Sequence, residues 1–453
     1  MPDLATIFKA YDVRGVVPDQ LDAGVARAVG AAFVEVLDHP ATVVVGYDMR
    51  ASSPELATAF AEGVTSRGTD VVDIGLASTD ELYFASGHLQ APGAMFTASH
   101  NPPEYGGIKL CRSGAAPVGQ DTGLAEIRAL AEQGGPQGAA PHQGTVTRQD
   151  VLAAYAAHLL SLVDVTGGRR LTVVVDAGNG MAGLTVPAVF ADLDLELVPL
   201  YFELDGTFPN HEANPIEPAN LRDLQAKVRE VGADVGLAFD GDADRCWVID
   251  ERAESVPPSA ITALIATREL VREPGATIIH NLITSRAVPE IVRERGGVPV
   301  RDRVGHSFIK ATMAKTGAIF GGEHSAHFYF RDFWRADSGM LAGLHVLAAL
   351  SAQDAPLSHL MAAYDRYAAS GEINSRVKDQ AGTLARVRKA YAGREGATID
   401  ELDGLTVGDA DWWFNLRPSN TEPVLRLNAE AVDKPTMERV RDEVLGLISS
   451  GTS

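Results

Sequence analysis

Four short stretches hold the side chains that could do chemistry. In FTASHNPPEYGGIK (residues 96–109), Ser99 stands beside His100, with Lys109 at the far end. Asn101-Pro102-Pro103 stops any helix, because each proline lacks a donor and restricts the residue before it. Gly106-Gly107 lets the chain turn back. The stretch therefore predicts a stiff loop between two buried strands, a good mount for a nucleophilic hydroxyl. In Ala238-Phe239-Asp240-Gly241-Asp242-Ala243-Asp244-Arg245, three carboxylates fall within five positions. Like charges so close repel unless a cation neutralises them, and a hard ion such as Mg²⁺ wants oxygen ligands. Arg245 adds a donor suited to phosphate.

The third stretch, Gly321 to His327, carries Glu323, Ser325 and His327 at alternate positions. In extended geometry all three would face one way, an arrangement suited to sugar hydroxyls. The fourth, RPSNTEP (residues 417–423), offers Arg417, Ser419, Asn420 and Thr421 with backbone N–H groups as an anion cradle. A substrate that needs a hydroxyl nucleophile, a divalent metal, a hydroxyl-reading turn and a phosphate cradle is a phosphosugar.

The elements that must position these stretches repeat. Val43 to Asp48 reads as a buried strand, followed by a helix with Pro54 in its first turn and a strand at Val71 to Gly75. Leu171 to Asp176 opens a second such unit and Ala276 to Ile283 a third. Continuous Val/Ile runs fit strands buried in mostly parallel sheets. A helical run is expected over Leu21 to Leu37, and another, Leu357 to Ala369, is expected to end the third unit. The tail has a different rhythm: a helix at Gly382 to Tyr391, strands at Asp411 to Leu416 and Val424 to Ala431, and a closing helix at Lys434 to Ile448. The reading is α/β: three similar α/β domains with mixed, mostly parallel sheets plus a C-terminal α+β domain. The expected boundaries are 1–145, 146–252, 253–370 and 371–453.

Composition bounds the partners. With 453 residues the chain is too long for one core. A net charge of −21 argues against nucleic acid or an anionic membrane. Cys111 and Cys246 form neither a disulfide framework nor a zinc spacing, and fit a reducing cytoplasm. The first residues lack the apolar core of a signal peptide.

In the order YDVRG, TASHNPPEYGGIK, DGDADR, VGHSFIK, GGEHSAH and RPSNTEP, the chain resembles the α-D-phosphohexomutase superfamily over nearly its whole length. The resemblance implies four domains around a cleft and a phosphoryl exchange between O1 and O6 of a hexose, mannose or glucose. It implies a phosphoserine at Ser99, a hexose 1,6-bisphosphate intermediate that also activates, and Mg²⁺ held by Asp240, Asp242 and Asp244 with Ser99. Arg14, His100, Lys109 and Arg245 then surround the transferring group, with Lys109 a candidate general acid or base. Gly305, His306, Glu323, Ser325 and His327 face the sugar, and Arg417, Ser419, Asn420 and Thr421 the second phosphate. A monomer or homodimer is expected. Two departures stand out. A lysine common near Ile283 is missing, so either Arg286 replaces it or that contact is absent. The sugar motif also reads Ser-Ala-His in place of Ser-Gly-His. A metal-dependent phosphatase and a sugar-phosphate-binding protein without chemistry are the rival readings.

Overall fold

The computed structural model describes residues 3–419 and 424–450 apart from 137 and 139, with residue 306 described by its backbone alone. Four sheets follow one another along the chain. The first holds β1 (Val13–Val16), β2 (Thr42–Tyr47), β3 (Asp70–Leu76), β4 (Gly93–Phe96), β5 (Tyr105–Arg112), β6 (Ala116–Pro117) and β7 (Val146–Arg148). The second holds β8 (Leu171–Asp176), β9 (Leu195–Leu200), β10 (Val235–Phe239), β11 (Cys246–Ile249) and β12 (Ser255–Val256). In the third are β13 (Thr277–Asn281), β14 (Val298–Asp302), β15 (Phe320–Gly322), β16 (Phe328–Phe330) and β17 (Ala336–Asp337). The fourth contains β18 (Ala368–Arg376), β19 (Thr398–Asp400), β20 (Leu405–Gly408), β21 (Trp412–Pro418) and β22 (Val424–Ala431).

The first three sheets share a plan. A central strand pairs in parallel with its neighbours through helical crossovers: β2 with β3 and β4, β8 with β9 and β10, β13 with β14 and β15. The last parallel strand then turns into an antiparallel partner: β4 into β5, β10 into β11, β15 into β16. The serine loop, the aspartate loop and the Glu323 turn are those three connections. In the all-antiparallel fourth sheet, Arg417 closes the strand that hairpins with β22. A recurrent topology thus delivers all four motifs at strand ends, where side chains leave the core and face a cleft.

Burial follows the Val/Ile pattern. Val43, Val44, Val173, Val174, Val175, Ile278 and Ile279 are all fully buried. The second and third units share one apolar cluster with part of the first, reaching from Val44 through Val175 to Ile278. The fourth unit has a core of its own around Val387, Phe414, Leu427 and Val440. Polar bonds rather than a common core hold it to the rest.

Several expectations held in position. The helix expected over Leu21 to Leu37 spans Ala23–Val36, with Asp22 accepting from Val25 N as its cap. One did not. The expected helix over Leu357 to Ala369 stops at Met361, and Ala368–Arg376 is a strand paired with β22. The alanines there favour helix locally, but an open sheet edge beside β22 outweighs so small a preference. Among the described residues, no helix is long and apolar enough to cross a membrane.

Candidate active site

The serine loop, the aspartate loop and the Glu323 turn meet at a cavity of about 480 Å³ lined by Arg14, Ser99, His100, Lys109, Asp244, Arg245 and His327, among others. Ser99 is only 4 % exposed and sits at φ +51°, a left-handed conformation rare outside glycine. Its hydroxyl donates to Asp240 Oδ2 at 2.9 Å and lies 3.2 Å from His100 Nδ1. The aspartate loop packs tightly beneath: a Cβ on Gly241 would fall 2.4 Å from the Ser99 carbonyl oxygen, so only glycine fits.

Basic groups surround this contact. Arg245 donates from Nε to Asp240 Oδ2 at 2.9 Å and from Nη2 to His100 Nδ1 at 2.6 Å. A guanidinium can only donate, so His100 accepts on Nδ1 and its ring is neutral. Burial, with Arg245 and Arg14 nearby, holds the His100 pKa well below its ordinary value. Arg14 bonds Asn101 Oδ1 at 2.7 Å and pairs with Asp12. Lys109 Nζ bridges Asp242 Oδ2 and Asp244 Oδ2, each at 2.6 Å. Burial alone would strip its proton, but the two carboxylates outweigh it and raise the pKa well above the usual lysine value. Lys109 is therefore held as an ammonium here.

The three aspartates fit a hard cation. They are at most 2 % exposed, and one oxygen from each lies within 4.8 Å of the others. Asp242 Oδ1 and Asp244 Oδ1 are buried without a hydrogen-bond partner among the described residues. Burial, with Asp244 and Asp242 adding to it against Arg245, pushes Asp240 up to about 8. Burial works the same way on Asp242, but the Lys109 ammonium outweighs it and holds that carboxyl below the usual range. Two buried carboxylate oxygens without a donor, beside a third carboxyl pushed up by its neighbours, are the condition a divalent ion relieves. Thr79 steadies it, donating from Oγ1 to Asp242 Oδ2 at 2.6 Å and from its backbone to Asp242 O at 3.0 Å.

The Glu323 turn differs from the extended geometry expected of it. Glu323 N donates to His327 O across a tight turn. Its carboxylate is 2 % exposed and accepts from Asn281 Nδ2, Gly305 N and Tyr329 OH, at 3.1, 3.1 and 2.6 Å. Glu323 thus anchors the Gly305 loop from behind, while Ser325 Oγ and His327 Nδ1 pair at 3.0 Å and the His327 ring faces the cavity. Ala326, standing where Ser-Gly-His would have glycine, is at φ +64°. The turn needs a left-handed residue there, and alanine takes it at a cost of about 1 kcal/mol. His306 starts a helix, His306–Thr316, and its side chain is not described.

In the fourth unit, Arg417 is 11 % exposed in its side chain and lies 3.2 Å from Glu372 Oε2. Its Nε is buried without a hydrogen-bond partner among the described residues. Ser419 N closes the hairpin on Val424 O. Asn420 and Thr421 lie outside the described residues. Arg417 is not among the residues lining the cavity that holds Ser99. Arg286, the candidate stand-in for a missing lysine, is not among the residues lining that cavity either. Its guanidinium turns to the fourth unit and donates to the carbonyls of Ala410, Asp409 and Trp412 at 2.6, 3.2 and 3.0 Å.

Sequence reasoning missed Thr79, Arg50 and Asp337. The last is 3 % exposed on the cavity wall and ion-paired with buried Lys310 at 2.8 Å. The signals were present but weak: a charged pair, Asp48 and Arg50, at a strand end, and acidic or hydroxyl residues opening otherwise apolar helices.

Comparison with known proteins covers the whole chain. The α/β/α domains I, II and III described as phosphoglucomutase/phosphomannomutase match residues 5–137, 153–253 and 257–367, and the C-terminal domain of that description matches 372–447. A phosphomannomutase of Salmonella montevideo is 43 % identical, over 98 % of this chain and 99 % of its own. A protein of Xanthomonas campestris pv. campestris named phosphohexose mutases is 42 % identical, over 97 % and 98 %. The crystal structure of a phosphoglucomutase/phosphomannomutase family protein from Burkholderia thailandensis superposes with a TM-score of 0.90 at 35 % identity, covering 100 % of this chain and 99 % of that one.

Proposed function

The chain belongs to the phosphoglucomutase/phosphomannomutase family, and from that premise we propose that it interconverts hexose 1-phosphate and hexose 6-phosphate, of mannose or glucose, through a phosphoryl group carried on Ser99. The observation that carries this reading is the convergence of Ser99, His100, Lys109, Arg14 and Arg245 on one cavity above three buried aspartates.

In the proposed cycle, phospho-Ser99 gives its phosphoryl to the free hydroxyl of the sugar phosphate. The bisphosphate turns within the cleft, and Ser99 takes back the other phosphoryl. Arg14, Arg245 and Lys109 offset the charge spread over the transferring group, so positioning and electrostatics do most of the work. Asp240, Asp242 and Asp244, with the Ser99 oxygen, would hold Mg²⁺, which would supply further charge neutralisation at the transferring phosphoryl. Hexose 1,6-bisphosphate would prime an enzyme that has lost its phosphate. Glu323 would fix the Gly305–His306 loop, Ser325 and His327 would meet the sugar, and Arg417, Ser419, Asn420 and Thr421 would take the phosphate that is not moving. The separate core of the fourth unit supports a lid that closes on the substrate. The units we assign are 1–145, 146–252, 253–370 and 371–453, with β18 running across the last boundary. A cytoplasmic setting is supported by two free, buried cysteines.

The test is incubation with glucose or mannose 1-phosphate, Mg²⁺ and a trace of glucose 1,6-bisphosphate. Isomer is expected. Free phosphate would point to a phosphatase, and no turnover to a binding protein. Ser99→Ala should lose at least about two to three orders of magnitude in rate, as expected when a covalent route is removed. Full activity in Ser99→Ala, with phosphate found on another residue, ends the reading.

A further inference from the structure

We propose that Arg50 is the positioning residue of the serine loop: it sets where Ser99 Oγ stands without touching substrate. Arg50 is 1 % exposed and is not among the cavity-lining residues. Its guanidinium spends itself on one loop. Nη2 donates to the carbonyls of Ser99 and Asn101 at 2.8 and 2.6 Å, and Nη1 to those of Pro102 and Tyr105 at 2.8 and 3.0 Å. Nε lies 3.3 Å from Asp48 Oδ2. The Phe208 ring, from the second unit, covers the guanidinium at 5.1 Å.

The need is physical. Between β4 and β5 the loop carbonyls have left the ladder, yet buried carbonyls must find donors. Two prolines in the loop remove donors that might have served. Among side chains, only arginine brings five N–H groups in a rigid plane, enough to reach four carbonyls at once. The clamp acts where strain is stored, since Ser99 holds a left-handed φ and Arg50 grips its carbonyl. The same carbonyl is backed by Gly241 of the aspartate loop. Ser99 is thus fixed from two sides, and its hydroxyl is left facing Asp240. The second unit closes on Arg50 as well, because a Cβ on Gly206 would fall 2.6 Å from Arg50 Cα.

The inference rests on Ser99 as the phosphoryl carrier, so the experiment reads the two separately. Wild type and Arg50→Lys are incubated with labelled glucose 1,6-bisphosphate, and phosphate on the Ser99 peptide is followed beside steady-state kinetics. Lysine keeps the charge but not the fork. We expect kcat to fall about 100-fold, the effect of a roughly 1 Å misplacement. The rate of Ser99 labelling should fall by the same factor, while KM stays within about threefold. Phe33→Leu, in the core of the same unit, serves as the stability control. It should lower Tm and leave kcat at 25 °C within about twofold, as packing changes away from a site do. Wild type without phosphate on Ser99 would overturn the carrier reading and this one with it. Wild type labelled on Ser99 with Arg50→Lys equally fast, or impaired only in KM, would overturn the role of Arg50 alone. If Arg50→Lys does not fold, Gly206→Ala takes its place: a tenfold or larger drop in kcat, about what a sub-ångström displacement gives, supports the proposal, and unchanged kcat overturns it.

Discussion

Replacing Arg286 by alanine tests how the fourth unit is held. The guanidinium donates to three carbonyls of the β20–β21 hairpin and its start, one bond exposed and two half-buried, and packs 5.7 Å from the Tyr367 ring. Hydrogen bonds from a charged donor contribute about 1.5–3 kcal/mol each when buried, and about half that at a surface. Taken near the low, surface end of that range, about 0.75–1 kcal/mol each, the three together give roughly 2–3 kcal/mol of docking energy. Other bonds survive the change. Arg301 still reaches Asp400 at 2.9 Å, Val304 N reaches Asp403 at 3.2 Å, and the backbone N of residue 286 still reaches Glu430. The unit should therefore loosen and not detach. Arg417 stands one residue before the end of the strand that begins at Trp412, one of the gripped residues, so loosening would draw the proposed anion cradle away from the cleft. A substrate that must first restore docking has its KM raised by the undocked fraction. The expected rise is between about threefold and 100-fold, the upper limit being the full 2–3 kcal/mol, with kcat at saturation within about twofold. Steady-state kinetics with limited proteolysis of the 362–367 connection reads both effects. Arg286→Lys should behave like alanine, because a point charge cannot grip three carbonyls. If KM stays within twofold and cleavage is not faster, the clamp contributes no docking energy and the lid argument fails.

Asp242→Asn should weaken Mn²⁺ or Mg²⁺ binding by calorimetry about 10- to 100-fold, as loss of an anionic ligand does, and full activity in excess chelator would contradict the metal assignment. Glu81 is 2 % exposed, and burial, reinforced by Asp80, pushes its pKa up to about 8. Since the folded value exceeds the unfolded one near 4.5, its favourable contribution is full below pH 4.5 and is lost as pH rises toward 8. Glu81→Gln should therefore flatten stability against pH across that window, gaining up to a few kcal/mol at its upper end. Denaturant melts at pH 5 and pH 8 that move in parallel for the two proteins would refute this. Glu323→Ala should damage glucose and mannose activity alike, by about 2–4 kcal/mol in kcat/KM, because it strands buried donors behind the sugar loop. N-acetylglucosamine phosphate should be a poor substrate, and its proving the best one, or selective loss on one hexose, would overturn the assignment of the turn.

The sequence by itself determined the chemistry of each loop. Asn101-Pro102-Pro103, the Asp-Gly-Asp-Ala-Asp spacing and the Val/Ile strand runs are local rules, set by missing donors, like-charge repulsion and alternation, and they hold whatever the rest of the chain does. The tertiary structure alone decided what those loops meet. Ser99 and Asp240 are 141 residues apart yet share a hydrogen bond, and Thr79 reaches Asp242 across 163. Spacing along the chain cannot carry such pairs, which arise only when repeated sheets bring their strand ends to one cleft. The sheet edge beside β22 took Ala368 and Ala369 from helix to strand, and the turn at Ala326 overrode the extended geometry that alternate polar residues suggested. Arg50 and Arg286 are alike in sequence, each an arginine in the loop that follows a strand, and only packing sent one beneath Ser99 and the other to the fourth unit. A guanidinium goes where unpaired carbonyls are buried, and that is a property of the assembled fold.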